Sequence, residues 1–107
     1  MDAAGRAALQ RELTALARGD RTAFDALFGR TWPLVRGFAA KTLPAAEAED
    51  AAQESMLRIF ARASEFDPSR DALAWILGIA GWQIRTHRTR ARRRREESDI
   101  GAEARPD

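Results

Sequence analysis

The residues best equipped for chemistry lie between Asp71 and Arg95, in the run DALAWILGIAGWQIRTHRTRARRRR. Its first half is apolar and carries Trp75 and Trp82, seven residues apart. Its second half carries Arg85, Arg88, Arg90, Arg92, Arg93, Arg94 and Arg95. Aromatic rings hold unstacked bases and guanidinium forks hold phosphates, so the pairing suits separated nucleic-acid strands. Residues 83–95 hold seven arginines and no acid, whereas residues 1–82 carry a net charge of −1 and residues 96–107 of −4. The overall charge of +2 is thus focused on one stretch, as the electrostatic footprint for a polyanion would be. The plainer reading of such a run is a solvated charged face.

Other chemistries find little support. The chain has no cysteine and a single histidine, His87, set among arginines, so neither a disulfide nor a metal site is expected, and no cofactor. Carboxylates occur close together at Asp50 and Glu54, but nothing marks a pocket or a nucleophile around them, so no enzyme is expected. No apolar run approaches the roughly 18 residues of a membrane span. The N-terminal segment mixes acids and bases where a signal peptide would be uninterruptedly apolar, which points to the cytoplasm.

The elements that must position these residues read as helices. β-Branched residues are scarce, period-two alternation is absent, and alanine and arginine dominate. The expected fold is all-α: a compact bundle of about four helices over residues 1–95, followed by an acidic, disordered tail or linker at 96–107. A first helix runs from about Arg6 to Arg18 and stops at Gly19. Asp20 caps a second, which reaches about Thr42 with Pro33 kinking or breaking it. A third spans about Ala46 to Ser64, with acids in its first turn where the helix dipole favours them. Asp-Pro-Ser turn chemistry follows at Asp67, Pro68 and Ser69. The fourth helix starts near Asp71 and extends for roughly 38 Å to Arg95, too far for a domain this small to cover.

The third helix has two stripes. Ala48, Ala52, Met56, Ile59 and Ala63 form an ordinary core face. Asp50, Gln53, Glu54, Leu57 and Ala61 form another, with polar groups beside exposed apolar carbons. That second stripe is either a plain solvent face or a surface for docking a partner helix bearing arginines.

With these motifs in place, the chain resembles the second conserved region of bacterial RNA polymerase sigma factors, in the extracytoplasmic-function group. The likeness rests on Gly19, Asp20, Ala23 and Phe24, then on Ala48, Glu49, Asp50, Gln53 and Glu54. The loop Phe66-Asp67-Pro68 and the segment Trp75, Ile76, Ile79 and Ala80 complete it. It covers about residues 8–95, with four motifs in the family's order and spacing.

The resemblance implies that Asp50, Gln53, Glu54, Leu57, Arg58 and Ala61 dock on the clamp helices of the polymerase's largest subunit. It implies that the loop with Phe66, Asp67, Ser69 and Arg70 holds a base flipped from the −10 promoter element. The last helix would then track the non-template strand through Trp82, Arg85, Thr86, Arg88, Thr89 and Arg92. An anti-sigma protein is a further candidate partner. The family's C-terminal helix-turn-helix, which reads the −35 element, has no counterpart within the 107 residues.

Two departures stand out. Trp82 occupies the place of a family asparagine that is a candidate base reader, and Thr86 replaces a common aspartate. Trp82 either stacks on a base or packs against the first or second helix, while Trp75, beside Ile76, Ile79 and Ala80, reads as core. Gly78 and Gly81 weaken the helix by up to about 1 kcal/mol each, which close packing or a bend would explain. Two other functions fit the same residues: a non-specific arginine-rich nucleic-acid module, or a sigma-like domain acting purely through protein contacts. Only the docking stripe distinguishes the sigma reading from the first of these.

Overall fold

The computed structural model describes the backbone of residues 1–104 and the side chains of residues 1–98. Four α-helices follow one another: α1 (Ala3–Ala17), α2 (Phe24–Ala40), α3 (Ala45–Ala61) and α4 (Ala72–Ala104), with 3-10 turns at Arg21–Ala23 and Ala63–Glu65. The all-α expectation holds, and no strand occurs among the described residues.

Local chemistry sets the boundaries. The Asp2 carboxylate accepts the Gly5 amide at 2.8 Å and starts α1 at Ala3, three residues before the periodicity suggested. Gly19, at φ +92°, ends it in a left-handed turn. The Gly19 N–H donates to Leu16 and the Asp20 N–H to Ala15, the paired bonds that close a helix C-terminus. Asp20 then caps the 3-10 turn, accepting from the Thr22 amide and hydroxyl. Of the kink or short break expected at Pro33, the break does not occur, since α2 runs through it as one helix. Pro33 and Gly29 are both exposed, so water can satisfy the Gly29 carbonyl that the proline leaves without a donor.

The core lies where all four helices meet. Leu9 and Leu13 of α1, Leu27 of α2, Ile59 of α3 and Ile76 of α4 are fully buried, each contributing about 1.5–3 kcal/mol of burial free energy. Ala51, Ala52, Ala72 and Ala80 are also buried and keep the backbones of α3 and α4 close. Arg30 donates twice to the Glu12 carboxylate, at 2.9 and 3.0 Å, and ties α2 to α1.

The last helix departs from expectation at its far end. Its buried stripe continues through Ile84 to Ala91, so half of the arginine segment still rides on the bundle. Beyond Ala91 every residue to Ser98 is exposed. The helix continues through the acidic segment, expected as a disordered tail, as far as Ala104; residues 105–107 of that segment lie outside the described residues. At 33 residues, α4 is about 50 Å long. No helix among the described residues is long and apolar enough to cross a membrane, and no metal-holding cluster occurs among them.

Candidate functional site

Two faces of the bundle carry the candidate residues. The first is the outside of α3. Asp50, Gln53, Leu57 and Ala61 are exposed there at helical spacing, and Leu57 is the most exposed large apolar residue, at 72%. An aromatic row from α2 lies beside them. Phe24 stands 4.7 Å from Phe60, ring centre to ring centre, and Phe28 lies 5.8 Å from Phe60 and 6.5 Å from Trp32. With Gln53, Met56 and Leu57 these rings enclose an open, almost wholly apolar groove of about 590 Å³.

The sequence reading did not single out this groove. Leu27, Thr31, Val35 and Ala39 are the buried stripe, and Phe24, Phe28 and Trp32 form a second stripe one residue step round the helix. Two adjacent apolar stripes on one helix were the available signal.

Glu54 and Arg58 line a shallow groove with Leu57 and Ala61 on that face and also reach across to α4. The Glu54 carboxylate turns to α4, where it accepts from the Gln83 amide and stands 3.0 Å from Nε2 of His87. Gln83 is buried at 1% exposure, and the His87 side chain at 12%. Glu54 is therefore first a link between α3 and α4, because a polar pair in the buried stripe of α4 needs an acceptor opposite it. The guanidinium of Arg58 lies 4.7 Å from the ring centre of Trp82, in a cation–π contact. All six expected docking residues thus lie on or at the edge of the outer face of α3, and Glu54 and Arg58 also contact α4.

The second face is that of α4. Trp82 is neither core nor free: it is 47% exposed and covered on one side by Arg58. Trp75 packs against the core, as expected. Trp75, Gly78, Trp82 and Arg85 line one side of a groove of about 530 Å³, with Arg58 and Arg62 of α3 across from them. A Cβ added at Gly78 would meet nothing within 4 Å, so close packing does not account for that glycine. At Gly81 an added Cβ would stand 3.4 Å from Nη1 of Arg85, so the glycine lets that guanidinium lie against the helix.

One turn further on, Arg85, Arg88, Thr89 and Arg92 line a neighbouring groove against Thr42 and Pro44. The Thr86 hydroxyl donates to the Trp82 carbonyl at 3.0 Å and is thus engaged within the helix.

The loop before α4 differs most from expectation. Phe66 is 3% exposed and sets its ring edge-on to Trp75, 5.4 Å between centres, so it is a core residue and not a surface for a flipped base. Phe66 belongs to the same buried cluster as Leu9, Ala63 and Ile76. Asp67 spends one oxygen on its own turn, accepting the Ser69 amide at 3.0 Å and its hydroxyl at 2.8 Å. Those bonds hold the Asp67 carboxyl below the usual range. Arg70 is exposed.

The loop is held from α1 through residues the sequence reading did not single out. The Gln10 amide donates to the Arg70 carbonyl at 2.8 Å and accepts from the Ala72 amide at 2.7 Å. Arg6 forks onto Asp71, which also caps α4 by accepting the Ala74 amide. The guanidinium and that amide hold the Asp71 carboxyl below its ordinary value.

An aromatic face on α2 and α3, followed by an arginine-and-tryptophan helix, matches the sigma-70 region 2 family over residues 27–94. The chain belongs to this family. The match takes in nearly all of α2, all of α3 and α4 as far as Arg94, so the α1 side chains that brace the loop lie outside it. The chain is also similar to the ECF RNA polymerase sigma factor RpoE of Cereibacter sphaeroides, at 43% identity over 63 residues. That alignment covers 57% of this chain and 35% of the relative, so the chain spans about a third of the sigma factor it matches. No solved structure matches it significantly. Within this sigma region 2 domain, Trp75 and Trp82 occupy one continuous helix face with Arg85, and that face borders the α3 surface through Arg58.

Proposed function

We propose that this sigma region 2 domain is the −10-recognising part of an extracytoplasmic-function sigma factor, docking on the clamp helices of RNA polymerase and binding the non-template strand. Docking would use Asp50, Gln53, Leu57 and Ala61, extended by the aromatic groove of Phe24, Phe28 and Phe60. A partner helix burying that groove gains apolar area at the centre and hydrogen bonds at the rim. Strand binding would use Trp82 and the arginines of α4. Opening a duplex costs stacking, and a protein that prefers the separated strand offsets it. A ring stacked on a base supplies about 1–3 kcal/mol, and guanidinium–phosphate contacts add a salt-dependent share. The domain performs no bond chemistry in this scheme. It selects and holds a strand while the polymerase reacts.

The observation that carries the reading is the adjacency of the two faces, joined at Arg58 over Trp82. A non-specific nucleic-acid binder has no use for an exposed apolar groove on its opposite helix. The test is a pull-down of the full chain with a polymerase clamp-helix fragment, comparing the wild type with Gln53→Ala/Leu57→Lys. Both positions are exposed, so the variant keeps its fold. Loss of capture is expected, and undiminished capture would remove the docking assignment.

A further inference from the structure

We propose that the groove over Gly78 receives a single unstacked base and that it selects guanine. The inference rests on the strand-binding reading and adds to it a place and a preference. With Phe66 buried, the loop offers no ring to a flipped base. The groove between Trp75 and Trp82 does, and its floor at Gly78 is bare, with nothing within 4 Å of where a Cβ would stand. Any larger residue there would occupy the space a base needs.

The preference follows from the polar groups around that floor. Arg58, Arg62 and Arg85 supply them, and neither a carboxylate, an amide nor a hydroxyl side chain lines the groove. Arginine and the indole N–H only donate. A base held here must therefore present acceptors. Guanine shows two side by side, N7 and O6, which match the fork of one guanidinium. Adenine puts an amino donor beside its N7 and cytosine carries an amino donor, so each sets donor against donor. Thymine offers O4 alone beside its methyl and can take only one arm of the fork. Arg58 lies over the Trp82 ring, 4.7 Å from its centre, so a base that takes its place on that indole meets the displaced fork at its edge. It is the residue that sets specificity, and Gly78 makes the room.

The experiment is an anisotropy titration of the full chain with labelled 12-nucleotide oligothymidine strands carrying one central guanine, adenine, cytosine or abasic site. The guanine strand is expected to bind at least about fivefold tighter than the adenine strand, the lower end of what a bidentate arginine contact discriminates. Gly78→Leu, whose Cβ meets nothing within 4 Å, and Arg58→Gln should each abolish that ratio, with far-UV circular dichroism confirming the helices. Equal binding of all four strands by the wild type overturns the guanine pocket and leaves strand binding standing. A guanine preference that survives both substitutions overturns it as well, since the reader then lies elsewhere. If no strand binds at about 100 mM salt, the strand-binding reading fails and the pocket with it.

Discussion

Aromatic residues are used in two different ways on this small bundle. On α2 and α3, Phe24, Phe28 and Phe60 pack on one another and leave an apolar groove with few polar atoms. On α4, Trp75 and Trp82 stand apart across an open groove, with Arg58, Arg62 and Arg85 at its edges. Clustered rings favour another apolar surface, because their faces are satisfied by each other and their edges by carbon. Separated rings flanked by guanidinium groups favour a polyanion with flat bases. The difference lies in the neighbours, and it predicts partners that differ in their response to salt.

Ionic strength should therefore separate the two faces most strongly. If Arg85, Arg88, Arg92 and Arg95 each neutralise one phosphate of a single strand, raising salt from 50 to 200 mM weakens strand binding about 50-fold. Clamp-helix binding through the apolar groove should change by less than about threefold over that range. Parallel titrations of both ligands check this. Equal salt slopes would mean that the α2–α3 face binds through charge as well, and the contrast would collapse.

Reciprocal truncations sharpen the comparison at the level of single rings. Trp82→Ala should weaken strand binding about 5- to 150-fold, the worth of one stacked base, and leave clamp-helix binding within about twofold. Phe28→Ala should do the reverse, at a smaller cost of about tenfold, because Phe24 and Phe60 remain to cover part of the groove. Trp82 is half exposed, so its loss costs little stability. A variant that weakens both ligands alike would show that the faces are coupled through Arg58 and act as one surface.

How much of this was legible in the sequence depends on the kind of interaction. The helices, the glycine stop at Gly19 and the core stripe of α3 follow from local periodicity and capping, which a chain displays along its own length. The arginine segment was legible for the same reason. The second role of Glu54 was not legible because it depends on Gln83 and His87, 29 and 33 residues away, and no local pattern shows what lies opposite. Phe66 was misplaced because turn chemistry at Asp67 to Ser69 says where the chain bends and not which way a neighbouring ring points. Gln10 was invisible for a similar reason. An amide on a predicted helix face reads as solvent, yet here it holds the Arg70 carbonyl and the Ala72 amide.

Acid offers a gentler way to separate the faces. Asp67 and Asp71 both titrate below the ordinary aspartate value, through the Ser69 donors in one case and Arg6 with the Ala74 amide in the other. A carboxylate whose folded-state pKa is lowered adds stability that is present above its unfolded value and is lost as pH falls through the folded one. The loop from Phe66 to Asp71 should therefore hold from neutral pH down to about pH 4 and loosen below it. The apolar contacts of the α2–α3 groove contain no titrating group of that kind. Trp75 reports on the loop because Phe66 packs against it, and Trp32 reports on the groove. In an NMR titration the Trp75 indole signal should move below about pH 4 while that of Trp32 stays until the bundle unfolds. Asp71→Asn should lower Tm at pH 7 and shrink the acid-dependent change at Trp75. If Trp32 moves first, or the Asp71 substitution leaves the Trp75 titration intact, the loop is not what the carboxylates anchor, and its support must be assigned to Gln10 and the packing of Phe66 alone.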